Sequence, residues 1–117
     1  MRDLKPIFAD IDSMNPDAFV THLTEDVTFR FGNNDAVHGR EEVKQAVAGF
    51  YTMIGGMTHH FLQSYDSGDT TVAKVDVEYK RLDGKVVVTP NADILVFDGD
   101  LVKDWQIYID LAPVFAP

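Results

Sequence analysis

From Met57 onward the chain exchanges a helical hydrophobic period for a twofold one, and this switch limits its possible folds more than any other feature. Residues 72 to 81 alternate: Ala73, Val75, Val77 and Tyr79 face one way, and Lys74, Asp76, Glu78 and Lys80 the other. Such a pattern predicts a half-buried antiparallel strand. Asp83-Gly84 is a hairpin turn leading to a strand over 85 to 97, and Asp98-Gly99-Asp100 turns the chain into a strand over 101 to 111. Before the switch, Leu4, Ile7, Phe8, Ile11 and Met14 predict an amphipathic helix over 3 to 14, with Pro6 tolerated in its first turn. Asn15-Pro16-Asp17 reads as an N-cap with proline at the first helical position, starting a short helix that turns Phe19, Val20 and Leu23 inward. Val27 to Phe31 has strand composition and ends at the turn Gly32-Asn33-Asn34-Asp35. A third helix follows Gly39, with Val43, Ala46, Val47, Phe50 and Ile54 on one face. Helices first and a four-strand meander last is the order of an α+β fold, with helices on one face of a curved sheet.

A length of 117 residues suits one domain over 1–117. The net charge of −9, with no compensating basic stripe, argues against nucleic acid and anionic membranes as partners. Without cysteine there is no disulfide, thiolate catalysis or cysteine-ligated metal, and a reducing compartment fits. The N-terminus lacks a signal-peptide core, and no apolar run approaches the ~20 residues that cross a bilayer. The expected location is cytoplasmic.

Chemistry concentrates in Thr58-His59-His60-Phe61, Asp12 and Asp93. Histidine exchanges protons near neutral pH, and a carboxylate partner fixes its tautomer. His59 and His60 are adjacent on a predicted strand and point to opposite faces, so they cannot share a metal, and neither a metal site nor a cofactor is expected. His60 shares its face with Leu62 and Ser64 and is the candidate base; its bland alternative is a buried histidine bonded for structural reasons. Asp12 adjoins the apolar stripe of the first helix, where pairing with His60 would relieve the cost of a partly buried charge. Its alternative is a solvated helix-end acid, as Asp10 is read to be. Asp93 interrupts the apolar run of Val86, Val87, Val88, Ile94, Leu95 and Val96, with Thr89 and Asn91 on its face. Apolar walls raise a carboxyl pKa, although structural ion pairs imitate this pattern. Phe31, Phe50, Met53, Ile54, Leu95, Trp105 and Ile107 read as core or pocket wall, with Met57 and Tyr108 as further candidate lining. Asp110 reads as a rim acid or a cap at the sheet edge; His22 and His38 read as solvated.

The order of elements, with Leu23-Thr24-Glu25-Asp26-Val27-Thr28-Phe29 and the Asp98-Gly99…Trp105 ending, resembles the nuclear transport factor 2-like superfamily over nearly the whole chain. That implies a cone-like α+β fold: N-terminal helices on a strongly curved, mainly antiparallel sheet enclosing an apolar pocket. It also implies a homodimer paired through the sheet's outer face. Asp12-Ser13 with Asp17 looks like the end of scytalone dehydratase's first helix, where an aspartate orients the catalytic histidine. Thr58-His59-His60-Phe61 looks like that enzyme's Thr-x-His-Phe strand and implies His60 as the catalytic histidine. Asp93, followed by Phe97 and Gly99, is similar to the ketosteroid isomerase strand whose protonated aspartate donates to the enolate oxygen. The departures are equally specific. Ile11 and Phe31 align with two water-holding tyrosines of the dehydratase, whose second histidine has no counterpart. Phe31 also aligns with the isomerase's general base, and Ile107 with the aspartate that activates water in limonene epoxide hydrolase.

The expectation is a cofactor-independent lyase, isomerase or cyclase acting on a small apolar carbonyl compound, with His60, Asp12 and Asp93 as its catalytic groups. The alternatives are a non-catalytic ligand-binding or dimerisation module, or an epoxide hydrolase-like enzyme with Asp93 or Asp110 as base.

Overall fold

In a computed structural model, which describes residues 2–117, the helical first third packs across the inner face of a curved sheet. The elements run α1 (Lys5–Asp12), α2 (Pro16–Val20), β1 (Leu23–Phe31), β2 (Val37–His38), α3 (Arg40–Tyr51), β3 (Gly56–Ser67), β4 (Thr70–Lys80), β5 (Val86–Asp98), β6 (Leu101–Ile109) and α4 (Ala112–Phe115). The six strands form one sheet in the order β2-β1-β6-β5-β4-β3. Only β1 and β6 pair in parallel. No helix among the described residues is long and apolar enough to cross a membrane.

Local signals explain most boundaries. The Asn15 side chain accepts from the Asp17 amide at 3.0 Å, capping α2 as its sequence predicts. α1 is shorter than its apolar stripe because Met14 takes a left-handed φ of 61°, which ends the helix and leaves Met14 against the core. β1 begins at Leu23 rather than Val27: Leu23 pairs with Val102 across the parallel junction, a tertiary contact that local composition does not report. The strand expected over 101–111 stops at Ile109, and the Asp110 carboxylate then accepts the Ala112 amide at 3.0 Å in the turn that leads into α4.

The alternation of β4 holds. Ala73, Val75, Val77 and Tyr79 are buried against the helices, and their neighbours turn outward. β5 continues that inner face with Thr89, Asn91, Asp93, Leu95 and Phe97, paired across from Val77, Val75, Ala73 and Thr71 at its first four positions. β6 adds Trp105 and Ile107, opposite Leu95 and Asp93. β3 is less regular. It pairs with β4 through a bulge at Leu62, so Phe61 lies opposite Val75 and Gln63 opposite Lys74. That one extra residue decides which histidine faces inward.

Candidate functional site

Between the helices and the inner face of the sheet lies a cavity of about 380 Å³, within the usual size of small-ligand sites. Stacked and edge-on aromatic rings form one part of its wall. Trp105 stacks on Phe19 at 5.3 Å and meets Phe29 edge-on at 5.9 Å, while Phe50 packs edge-on against Phe31 at 4.9 Å and Tyr79 at 6.1 Å.

His59, not His60, is the histidine of this cavity. His59 lies opposite Val77 on the core face of β4, and its side chain is 7 % exposed. Its ring stacks on Phe8 at 4.8 Å. His60 lies opposite Asp76 on the outer face, is 52 % exposed, and approaches only Glu78, at 3.4 Å. The sequence reading of His60 therefore assigns the correct strand and the wrong face.

Asp12, the last residue of α1, meets His59 twice. Its Oδ1 lies 2.6 Å from Nδ1, and its Oδ2 accepts the His59 backbone N–H at 2.8 Å. An ionised carboxylate only accepts, so Nδ1 is the donor to Asp12, and in the neutral ring the lone pair is the one on Nε2. Asp12 stands behind His59 and is not itself part of the cavity wall.

Asp93 is 1 % exposed and lies on the cavity wall. Burial pushes its carboxyl up to about 6. The positive charge of a protonated His59 pulls the other way, as do hydrogen bonds from Trp105 Nε1 at 3.3 Å and Asn91 Nδ2 at 3.2 Å. The carboxyl is thus poised to be an acid or a carboxylate near neutral pH.

Ile54 is buried in the core, and of the other eight residues read as pocket wall or lining, six, Phe31, Phe50, Met53, Met57, Trp105 and Ile107, reach the cavity. Leu95 does not: it is wholly buried in the core beneath Trp105's end of the sheet. Tyr108 does not either, because it sits one residue out of phase with Ile107, is 58 % exposed, and lines a groove on the outside of the sheet. Asp110 holds the Ala112 amide in the turn before α4 and does not line this cavity, so it supplies no base to it. His22, read as solvated, is half-buried and pairs with Asp10 at 2.6 Å.

Two tyrosines on the wall escape the sequence reading as site groups. Tyr51 donates to the Ile11 carbonyl at 2.8 Å. Tyr79 projects from β4, and its phenol has no hydrogen-bond partner among the described residues. Burial, and then nearby carboxylates, hold both phenols protonated well above the ordinary range: Asp12 beside Tyr51, and Asp93 with Asp12 beside Tyr79. The signal for Tyr79 was its place on the inward face of an alternating strand, where a buried phenol calls for a partner. Among the described residues no three histidine or acidic side chains converge in a metal-holding group.

The SnoaL-like domain family matches this chain over residues 6–105. The chain belongs to that family. No curated protein matches the chain. The SnoaL-like assignment agrees with the nuclear transport factor 2-like fold, which solved structures share at low identity. A Catenulispora acidiphila protein of ketosteroid isomerase-like fold, crystallised with trimethylamine, is 22% identical at a TM-score of 0.88, covering 97% of this chain and 88% of its own. TerC, co-crystallised with polyporic acid, is 16% identical at a TM-score of 0.81, covering 92% and 88%. A candidate SnoaL-like polyketide cyclase from Jannaschia sp. CCS1 is 16% identical at a TM-score of 0.75, covering 100% and 99%. At these identities the likeness is one of fold, and the chemistry has to be argued from the cavity.

Proposed function

We propose that this SnoaL-like protein is a cofactor-independent proton-transfer enzyme acting on a small, largely apolar carbonyl compound. The observation that carries the reading is His59, held from behind by Asp12, on the same cavity as the buried Asp93. His59 Nε2 takes the proton α to the carbonyl, the C–H electrons form the enolate C=C bond, and the carbonyl π electrons move onto oxygen. Asp12 holds the ring by Nδ1 and balances the imidazolium that forms. Asp93, protonated, donates to the developing enolate oxygen, with the Tyr79 phenol as a second donor on the wall. Return of the proton to another carbon gives isomerisation, loss of a leaving group gives elimination, and attack on a second carbonyl gives cyclisation.

The test is catalysed exchange of α-protons for deuterium in a panel of cyclic ketones, followed by mass spectrometry. His59→Gln is expected to lower exchange by about 10²–10⁴-fold, the usual worth of general-base catalysis, and His60→Gln to leave it unchanged. Equal rates for wild type and His59→Gln would end the proposal.

A second reading rests on the same pair. Both Asp12 oxygens are engaged by His59, one by its backbone, so the pair braces α1 against β3. In that reading the cavity binds an apolar ligand without turning it over, and ligand binding without exchange is the expected result. The proposal extends to a homodimer. Val86, Val88, Tyr65 and Tyr108 project exposed from the outer face of the sheet, an apolar surface that a second copy would cover. Sedimentation equilibrium of wild type and of Tyr108→Lys distinguishes a dimer from a monomer.

A further inference from the structure

The cavity wall carries one buried amide that neither the proton-transfer reading nor the core explains. Asn91 is 6 % exposed and lies on the cavity wall. Its Nδ2 is committed to Asp93, and its Oδ1 has no donor among the described residues. The strand neighbours cannot supply one, because Asn91 lies between Val75 on β4 and Ile109 on β6. Thr89 Oγ1 is also without a partner, but Thr89 does not reach the cavity. Turned over, the amide would set its oxygen against Asp93 Oδ2, where only the Asp93 hydrogen could pair with it, and that hydrogen is the one the ligand carbonyl takes in this reading. A buried acceptor with no donor keeps its full desolvation penalty, which a ligand bearing a matching donor removes.

We propose that Asn91 is a specificity-determining residue that selects carbonyl ligands bearing an O–H or N–H donor on a neighbouring atom. Asn91 and Asp93 are two residues apart on one face of β5 and joined side chain to side chain, so they form one edge. Asn91 Oδ1 offers an acceptor there, and Asp93 offers the donor to a carbonyl oxygen. A lactam, an α-hydroxyketone or an enolised dicarbonyl presents the complementary pair, and a plain ketone leaves Asn91 unsatisfied. A site built around such a bond rejects the analogue that lacks it far more strongly than an apolar pocket rejects a methyl group. The assignment rests on Asp93 facing a carbonyl, as in the function proposed above.

Three compounds of one shape test it: oxindole, N-methyloxindole with the donor blocked, and 2-indanone with carbon in place of nitrogen. Dissociation constants come from the indole N–H resonance of Trp105, the single tryptophan, which lies on the cavity wall. Oxindole is expected to bind wild type at least about tenfold tighter than either analogue, and Asn91→Leu to erase the difference. Equal binding of the three compounds by wild type, a preference that survives Asn91→Leu, or no binding of any of them overturns the inference. The wild-type series decides even where Asn91→Leu fails to fold. Deuterium exchange at the α-carbon of the same compounds separates the two proposals. Exchange without a donor preference leaves proton transfer standing and removes the Asn91 role, and a donor preference without exchange does the reverse.

Discussion

Asp93→Asn removes an ionisable group while nearly preserving its shape, and the structure sets the expected size of the effect. Burial lifts the carboxyl from 3.8 to about 6, so ionising it inside the fold costs about 3 kcal/mol more than in the unfolded chain. Between these two values the folded protein holds a proton that the unfolded chain has lost. Wild-type stability from this group is therefore complete below pH 4, falls as pH rises toward 6, and is gone above it. The asparagine has no such dependence. It does lose an acceptor for one of the two donors, Trp105 Nε1 or Asn91 Nδ2, at a pH-independent cost of about 1 kcal/mol. Urea unfolding at pH 3 and pH 8 isolates the ionisation, because carboxylates common to both proteins cancel. The variant is expected to be about 1 kcal/mol less stable than wild type at pH 3 and about 2 kcal/mol more stable at pH 8. A difference that stays constant with pH refutes the buried, elevated carboxyl. A difference of opposite slope means that its neighbours stabilise the carboxylate, and Asp93 could not donate to an oxyanion. The same proton governs turnover: kcat/KM for exchange should fall as pH rises through about 6 as Asp93 loses the hydrogen it donates.

Other perturbations reach the site from its supports. Trp105→Phe withdraws a hydrogen bond that favours the Asp93 carboxylate, so the carboxyl should titrate above its wild-type midpoint when followed by carbon-13 NMR. Asp12→Ala strips two bonds from His59, one to its backbone, and is expected to cost about 2–3 kcal/mol in urea unfolding at pH 7. Tyr51→Phe leaves the Ile11 carbonyl without its side-chain donor and should cost about 1–2 kcal/mol, with no effect of the same size from Tyr65→Phe on the exposed outer face.

The fold was legible because its strongest constraint is local. Strict alternation in β4 fixes which side of the sheet is inward, and the turns at Asp83-Gly84 and Asp98-Gly99 carry that parity through β5 and into β6 as far as Val102. Asp93 follows from counting in twos, but Trp105 and Ile107 do not, because Lys103 is unpaired between Val102 and Asp104 and shifts the parity of β6 by one. Leu95 illustrates the limit of parity: it shares the inward face but lies deep in the core rather than on the cavity wall, and depth along a strand depends on what the helices cover. The end of α1 and the start of β1 were set by contacts between distant segments, which period alone does not encode.

The histidine was misread for one identifiable reason. β3 and β4 meet at a two-residue turn, Gly68-Asp69, where Gly68 has the positive φ of 58° that a tight hairpin turn uses at its first central position. Counting back from Ser67 opposite Thr70, the ladder runs regularly to Gln63 opposite Lys74. Continued without interruption, it would set His60 opposite Val77, on the core face. Leu62 has no partner, and its insertion moves every earlier residue by one place, so that His59 meets Val77 instead. A shift of one residue exchanges the two faces of a strand, and here it exchanges a buried, carboxylate-bound imidazole for an exposed one. Two adjacent histidines are therefore a natural control for each other. They share a strand and a side chain, and differ in the face to which the bulge turns them. If exchange activity follows His59 and ignores His60, the chemistry belongs to the cavity rather than to imidazole on this strand in general.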